Sequence, residues 1–369
     1  MKLVVAPTAY KGTMSPREVA DAMTAGIASR YPRAQFVTVP ISDGGDGFLE
    51  CLEGPLGASR RSVVVRGPLH SPLAAAYAIN PQGVAVIETA AAIGMARLPA
   101  RHLDAMGASS GGLGELMAEA RQAGAGEFLL GLGGSASTDG GTGMARALGY
   151  RFLDRAGREL PEGGGYLGAL DHVDAGGLDP GWLLQPIRVA CDVDNPLLGP
   201  DGCAATYAPQ KGATPAQVAR LEAGLWRLAE VVLRDLGFDM RRVPFGGAAG
   251  GLGAGLAAFL GAELRPGAGL VLETVRLPAA LRGVDALVTG EGRLDRQSLF
   301  GKAPVVAGRL GRAAGVRSVA LVGSTGDGWE AALGDAFDVV MRVPPPEAGE
   351  TPASTLTRAA ALTDLGIGG

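Results

Sequence analysis

The chain has 369 residues, of which 47% are hydrophobic and 19% are charged, and its mean hydropathy is +0.20. At about 150 residues per domain, this length predicts two domains or one large domain, and the apolar content excludes intrinsic disorder. The formal net charge is only −4 and the sequence has no basic run, so we expect no nucleic-acid partner.

The cysteines, histidines and apolar runs exclude several other classes of protein. Three cysteines without a CxxC spacing and three scattered histidines fit neither a disulfide framework nor a zinc site. The N-terminal residues show no signal-peptide pattern, and a long uncharged run, residues 245–262, contains seven glycines. We interpret that run as a glycine-rich turn leading into a buried helix, and we expect a cytoplasmic protein without a membrane partner.

Strands and helices alternate at both ends of the chain. At the N-terminal end, the sequence predicts strands at Leu3–Ala6 and Gln35–Ile41, a helix from Pro16 to about Ser29 with Ser15 as its N-cap, and a short helix that ends before Gly54. At the C-terminal end, it predicts strands at Ala286–Thr289, Ser318–Val322 and Asp338–Val343, with a helix at about Ala303–Ala314. Continuous apolar strands that alternate with helices are typical of a parallel, doubly wound sheet.

The middle of the chain has a different pattern. Three predicted strands, Ser62–Arg66, Ala74–Ile79 and Val84–Glu88, are separated by tight-turn sequences and are therefore expected to be antiparallel. Buried strands follow at Phe128–Leu132 and Ile187–Cys191, and an amphipathic helix at Gln217–Leu236. These elements predict an α/β fold in which a Rossmann-like parallel-sheet domain, formed by residues 1–62 and 283–369, carries an inserted mixed α/β domain, residues 63–282.

Lysine is rare in this chain, and its positions are informative. There are four lysines against 29 arginines, and three of the lysines, Lys11, Lys211 and Lys302, are each next to a glycine. The lysine ammonium group is a compact point charge, whereas the arginine guanidinium group is larger and planar. Glycine lets the backbone approach a ligand closely. This pattern favours contacts between these ammonium groups and a phosphate or small anion.

The segment Gly131–Gly141 is the strongest local signal. It follows a buried strand, is rich in glycine, serine and threonine, and leads into a predicted helix, Thr142–Leu148. Exposed amide groups, hydroxyl donors and a helix N-terminus are the components of a phosphate-binding loop. Asp139 would repel phosphate, so we expect it to hold Mg²⁺ or to cap the helix. A tight structural turn with ordinary capping is the alternative for the whole segment.

Two aspartates follow the strand at Ile187–Cys191. Asp192 and Asp194 are two residues apart, so in extended backbone both carboxylates lie on the same face, and Val193 points toward the core. Such a pair suits Mg²⁺ binding or a general base acting on an alcohol. A local turn with a capping aspartate is the alternative.

Acidic, glycine-rich segments also follow two of the strands predicted to be parallel. One is Asp43–Gly47, and the other is Thr289–Asp295, in which Glu291 and Asp295 could bind a metal. Simple capping or solvated surface charge is the alternative for each. The carboxyl ends of parallel strands lie at one edge of the sheet, where ligands bind. We therefore expect Lys11, Asp43 and Glu291 to converge.

Taken together, the loops resemble those of one family. The matching segments, in the same order, are Ala6–Gly12, Ser42–Gly47, Gly133–Ala136, Cys191–Gly199, Gln210–Ala213 and Thr289–Asp295, and the resemblance runs from residue 3 to about 325. They resemble the bacterial glycerate kinases. The resemblance implies ATP- and Mg²⁺-dependent phosphorylation of D-glycerate on a two-domain α/β fold with the site in the cleft. The family usually has Asp-Ser at Thr8-Ala9, glutamate at Asp46 and threonine at Phe48.

On this hypothesis, we assign roles to the candidate site residues. The catalytic residues would be Lys11, Asp192 and Asp194; the substrate-binding residues Asp43, Gly44, Gly45, Asn195 and Lys211; the nucleotide-phosphate residues Gly133, Gly134, Ser135, Ser137, Thr138 and Lys302; and the metal ligands Asp192, Glu291 and Asp295. The partners would be glycerate, ATP and Mg²⁺, and the protein would be a monomer or homodimer.

Two alternatives remain open. The four departures from the family pattern allow a catalytically altered relative that binds, or phosphorylates, a different small hydroxy acid. The other alternative is an NAD(P)-linked oxidoreductase, which is disfavoured because no GxGxxG fingerprint follows a strand in the required way. A P-loop enzyme is disfavoured as well, since the sequence lacks a Walker A motif.

Overall fold

The computed structural model of the protein describes residues 1–366. The strands are β1 (Lys2–Val5), β2 (Gln35–Thr38), β3 (Ser59–Arg66), β4 (Pro72–Ile79), β5 (Val84–Glu88), β6 (Glu127–Leu132), β7 (Arg151–Leu153), β8 (His172–Asp174), β9 (Ile187–Cys191), β10 (Glu263–Pro266), β11 (Ala286–Leu294), β12 (Arg317–Thr325) and β13 (Val339–Arg342). The α-helices are α1 (Pro16–Arg30), α2 (Phe48–Leu56), α3 (Ala90–Ile93), α4 (Gly111–Gln122), α5 (Thr142–Ala147), α6 (Cys203–Tyr207), α7 (Pro215–Leu236), α8 (Ala248–Leu260), α9 (Gly267–Thr274), α10 (Leu277–Ala280), α11 (Ala303–Ala313) and α12 (Pro352–Ala361).

The two ends of the chain form one compact unit, Met1–Leu56 together with the chain from Pro266 onward. Its sheet has the order β13-β12-β11-β1-β2, and every pairing is parallel. Counted within this sheet from the β2 edge, the strand order is 2-1-3-4-5. In such a sheet the strand order reverses between β1 and β11, and ligands bind beyond the carboxyl ends of the strands at that switch point.

Local sequence signals account for the first helix of this unit. The side chain of Ser15 caps α1 and forms a reciprocal capping box with Glu18, and Pro16 occupies the first turn. The buried face of α1 packs onto the sheet through residues four apart such as Val19, Met23 and Ile27. The predicted start of this helix and its N-cap are confirmed.

The segment Gly57–Arg265 forms the second unit. Its main sheet has the order β10-β9-β6-β5-β4-β3, in which β3, β4 and β5 pair antiparallel while β5, β6 and β9 pair parallel. A small antiparallel pair, β7 and β8, lies apart from it. The predicted α/β fold, with a parallel sheet from both chain ends and an inserted mixed region, is confirmed. Among residues 1–366, none of the helices has both the length and the apolar character needed to cross a lipid bilayer.

Several predicted element ends are wrong. Strand β2 ends at Thr38 rather than Ile41, β3 begins at Ser59 rather than Ser62, and β12 runs to Thr325 rather than Val322. Helix α2 does not stop before Gly54 but continues to Leu56, because its buried apolar face holds it against the core from Phe48 onward. Strand β11 does not end at Thr289 but runs to Leu294, paired with β12 throughout. Gly290 allows this pairing, since a Cβ there would lie 2.0 Å from the carbonyl oxygen of Leu321. Glu291 is therefore a strand residue rather than a loop residue.

Candidate functional site

A buried charge pair lies at the carboxyl edge of the parallel sheet. Glu291 in β11 is only 6% exposed, and its Oε2 lies 3.3 Å from Nζ of Lys302, the residue that precedes α11. Its other oxygen, Oε1, is buried and has no hydrogen-bond partner within residues 1–366. Burial raises the pKa of Glu291, and Lys302 opposes that rise. One oxygen of this carboxyl group is thus neutralised by lysine, and the other lacks a partner.

The loops after β1 and β2 approach the same edge. A Cβ added at Gly292 would lie 3.5 Å from the backbone nitrogen of Lys11 and from Cα of Tyr10. The Tyr10 hydroxyl is buried and donates to the carbonyl of Leu321 at 3.0 Å, and burial, with a smaller contribution from Glu291, raises its pKa far above the usual value. Besides the larger effect of burial, the charge of Asp43 makes a smaller contribution that raises the pKa of Glu291. The structure therefore brings Lys11, Asp43 and Glu291 to one edge, while the Lys11 side chain stays exposed.

Asp295 has a local structural role next to this edge. One oxygen, Oδ1, accepts hydrogen bonds from the backbone of Gln297 at 3.0 Å and Ser298 at 3.3 Å, and so caps the short 3-10 helix Arg296–Phe300. The other oxygen lies 3.3 Å from Nε of Arg293. Within residues 1–366, no three His, Cys, Asp or Glu side chains form a cluster that could hold a metal ion.

Two positions that depart from the family pattern have packing or backbone partners. Phe48 is fully buried at the start of α2, so its ring belongs to the core. The Thr8 hydroxyl donates to the carbonyl of Gly290 at 3.1 Å. Asp46 is exposed.

The glycine- and serine-rich segment lies in the second unit, where a lysine holds it. Lys211 is 2% exposed, and its Nζ donates to Oγ of Ser135 at 3.1 Å and to the carbonyl oxygen of Ser137 at 2.5 Å. Burial lowers the pKa of Lys211 to about 8. The sequence gives no hint that a residue more than seventy positions away would bond to this segment.

Asp139 anchors the other end of the same segment. Its side chain is fully buried, and Oδ2 accepts hydrogen bonds from the backbone and hydroxyl of Ser110, at 2.9 and 2.8 Å, and from the backbone of Gly143 at 3.1 Å. Its Oδ1 accepts from the backbone of Gly141 at 3.2 Å. Four donors occupy this carboxylate, so of the two roles expected for Asp139 the structure shows the capping role. Ser110 was not a candidate in the sequence.

The predicted phosphate-binding residues differ in accessibility. Gly134 is exposed with a left-handed φ of 59°, and Gly133 is partly exposed. Ser135, Ser137 and Thr138 are buried, and the hydroxyl oxygens of Ser137 and Thr138 have no hydrogen-bond partner in the described part of the chain. An anion that met this segment in the present conformation would reach the two glycines first.

The acidic segment after β9 presents its carboxylates to solvent. Asp192 and Asp194 are exposed, whereas Val193 packs against the core, as the alternation predicts. Asn195 is held in place, since its Nδ2 donates to the carbonyl of Asp201 at 2.8 Å and its Oδ1 accepts from the Tyr207 hydroxyl at 2.5 Å. Burial, together with Asp192 and Asp194, raises the pKa of Tyr207 to about 12. The tyrosine is a neighbour of this segment that the sequence did not reveal.

Comparison with known proteins gives a consistent result. The sequence model of the glycerate kinase family matches residues 3–363. The glycerate 2-kinase of Escherichia coli K12 is 43% identical over 306 residues, which cover 83% of this chain and 80% of the relative. The glycerate kinase of Halalkalibacterium halodurans is 38% identical over 344 residues, covering 93% and 90%.

A solved structure agrees with these sequence matches. A crystal structure from Salmonella typhimurium LT2, which carries the provisional name glycerate kinase 2, superposes with a TM-score of 0.87 at 36% identity and covers 98% of this chain and 96% of its own. The resemblance seen in the sequence motifs is thereby confirmed. The chain belongs to the glycerate kinase family of enzymes.

Proposed function

We propose that this enzyme transfers the γ-phosphoryl group of ATP to a hydroxyl of D-glycerate, with Mg²⁺ as the accompanying cation. The observation that carries the proposal is the family match over residues 3–363, which spans every motif considered above. The names of the relatives support glycerate as the acceptor. ATP as donor, a phosphoglycerate as product and Mg²⁺ as cation are our extension of that match.

The side chains present suit the chemistry of phosphoryl transfer. An oxygen of the acceptor hydroxyl attacks the γ-phosphorus, the bond from the γ-phosphorus to the bridging oxygen breaks, and ADP leaves with the bonding electrons. Such a reaction requires positioning and charge neutralisation more than covalent catalysis. We assign the hydroxyl proton to the carboxylate of Asp192 or Asp194, which are exposed and two residues apart.

The cationic and amide groups would neutralise and hold the phosphates. We assign Lys11 and Lys302 to the transferring group, since both lie at the carboxyl edge of the parallel sheet beside the switch point between β1 and β11. The exposed amide groups near Gly133 and Gly134 are the accessible donors of the loop after β6. Asp43, Gly44, Gly45 and Asn195 remain our candidates for contacts with glycerate.

The carboxylates of this chain fit a hard divalent cation. Oε1 of Glu291 is a buried carboxyl oxygen that has no hydrogen-bond partner among the residues the structure describes, and such an oxygen is a suitable ligand for Mg²⁺. We assign Glu291 as one ligand and keep Asp192 as a second candidate. Asp295 has less capacity, because both of its oxygens have partners already. Bound Mg²⁺ would neutralise negative charge on the phosphates.

One experiment tests the proposal directly. The purified protein is incubated with ATP, Mg²⁺ and D-glycerate, ADP release is followed by a coupled assay, and the product is identified by phosphorus NMR. We expect glycerate-stimulated ADP release and a new phosphomonoester resonance, with L-glycerate as the stereochemical control. Binding of nucleotide without glycerate-stimulated ADP would contradict the proposal and favour a catalytically altered relative or another hydroxy acid.

A further inference from the structure

We infer that Lys211 is a positioning residue that fixes the segment Ser135–Asp139 and does not itself touch the substrates. This inference rests on the proposed function, in which that segment belongs to the phosphate-binding loop. It replaces the role in substrate binding that the position of Lys211 beside a glycine suggested.

The ammonium group of Lys211 is buried and already bonded to the loop. The residue is 2% exposed and lies at the end of the 3-10 helix Pro209–Lys211. Two of its three N–H donors are committed, one to the Oγ of Ser135 and one to the carbonyl oxygen of Ser137. Both acceptors belong to the loop. The lysine therefore fixes one side chain and one backbone group of that loop at once.

A glycine in left-handed backbone conformation lies close to the same ammonium group. Gly250 has a φ of +73°, and a Cβ there would lie 2.9 Å from Nζ of Lys211 and 2.1 Å from the carbonyl oxygen of Ser137. The backbone oxygen of Gly250 also accepts a hydrogen bond from the amide of Gly140 at 3.1 Å. The close backbone approach leaves little space beside the lysine for a ligand. It also ties the start of α8 to the same loop.

The charges that face the lysine explain why it stays in place. The Asp139 carboxylate favours the charged form of Lys211, and it binds the far end of the loop through Gly141 and Gly143. Cys203 in α6 also faces the lysine, but burial raises the pKa of its thiol to about 12, so it is neutral in the working range. The loop is thus held between a buried cation and a buried anion.

The inference predicts a characteristic pH response. Because burial lowers the pKa of Lys211 to about 8, the ammonium loses its proton over a range in which an exposed lysine would keep it. A neutral amine makes weaker hydrogen bonds to the loop than an ammonium group does. The KM for ATP should therefore rise above pH 8, with a smaller change in kcat.

The main test compares K211M with K2M, which makes the same substitution at a lysine outside all the proposed loops. Amide hydrogen exchange of residues 131–141 is followed by mass spectrometry, and KM and kcat are measured for ATP and for glycerate. We expect K211M to exchange faster in that segment and to raise the KM for ATP at least tenfold, with kcat changed less than threefold. K2M should match the wild type in all of these.

Two outcomes would overturn the inference. Unchanged exchange together with a higher KM for glycerate alone would mean that Lys211 contacts the substrate directly. Unchanged exchange with unchanged kinetics would mean that the loop does not depend on the lysine. A wild type without ATP-dependent turnover would contradict the proposed function instead, and the exchange experiment would still report on Lys211.

A second measurement applies if K211M does not fold. S135A removes one acceptor and keeps the lysine, so it should speed amide exchange in residues 131–141 and raise the KM for ATP by less than tenfold, and unchanged exchange would contradict the inference. The wild-type pH profile needs no variant, and a KM for ATP that is flat from pH 7 to pH 9.5 would contradict the inference.

Discussion

Nζ of Lys302 lies 3.3 Å from Oε2 of Glu291. The lysine immediately precedes α11, and the glutamate lies in the middle of strand β11. The lysine is partly exposed and the glutamate is buried, so the pair presents its cation outward and keeps its anion inside. A lysine at a helix start lies near the positive end of the helix dipole, and the glutamate offsets that unfavourable position. The other oxygen of the same glutamate has no hydrogen-bond partner between residues 1 and 366.

This relationship predicts the effect of E291Q. The amide keeps the shape but removes the negative charge, so Lys302 loses its ion pair and the proposed cation loses a ligand. We expect kcat/KM to fall at least about 100-fold, which corresponds to about 2.7 kcal/mol of transition-state stabilisation. The measurement is steady-state kinetics at several Mg²⁺ concentrations. The control is E330Q, at an exposed glutamate in the same unit, and an E291Q variant with more than half of wild-type activity would exclude the proposed role.

The second prediction concerns the exposed pair Asp192 and Asp194. If one of them accepts the hydroxyl proton, D192N or D194N should lower kcat by about 10²- to 10⁴-fold and leave the KM for ATP nearly unchanged. Comparing the two variants identifies which carboxylate acts. D201N is the matched control, because Asp201 is exposed in the same loop and contacts Asn195 through its backbone carbonyl. Near wild-type turnover of both folded variants would remove this pair from the mechanism.

The third prediction separates backbone strain from steric clash. Gly250 and Gly261 both have left-handed backbone conformations within or just after α8, but a Cβ at Gly261 would meet no atom within 4 Å. We expect G261A to lower the free energy of unfolding by about 1 kcal/mol and G250A by about 3 kcal/mol or more, since only the second adds a clash with Ser137. Urea denaturation of the three proteins measures both values. Equal decreases in the free energy of unfolding for G250A and G261A would mean that the loop at Ser137 moves aside without destabilising the protein.

The fourth prediction is a pH dependence of stability. The pKa of Lys211 is about 8 in the folded protein and near 10.5 when unfolded, so between these values the unfolded chain binds more protons. The free energy of unfolding contributed by this residue therefore rises as pH increases from 8 to 10.5, by up to about 3 kcal/mol. Below pH 8 the residue is protonated in both the folded and the unfolded state, so its contribution to the free energy of unfolding does not change with pH.

A comparison of the wild type with K211M isolates this contribution from other titrating groups. Both free energies of unfolding are measured by urea denaturation at pH 7.5, 8.5 and 9.5. The value for the wild type minus the value for K211M should increase as the pH rises. If this difference stays constant or decreases as the pH rises, burial does not destabilise the charged form of Lys211 in the folded protein.

Local signals in the sequence predicted a large part of the fold. Ser15 followed by Pro16 and Glu18 determines where α1 begins, because capping depends on neighbouring residues alone. The tight-turn sequences between them predicted that the strands β3, β4 and β5 are antiparallel. The family was also readable from the ordered motifs, and the comparisons confirmed it.

Other features depend on contacts between distant parts of the chain. The sequence places Glu291 after a strand, but pairing of β11 with β12 through Leu294 buries it within one. From the sequence, Asp139 could either bind a metal or cap a helix. In the structure its carboxylate accepts four hydrogen bonds from Ser110, Gly141 and Gly143, which is the capping role.

The amino-acid sequence by itself determined the α/β character of this protein, the start of α1, the loops rich in glycine and acid, and its family. Only the tertiary structure decided which charged side chains in those loops are buried, and with which partners. The physical reason is that capping and strand formation depend on residues a few positions apart, whereas the burial of a charge such as that of Lys211 depends on Ser137 and Gly250, which only folding brings to it.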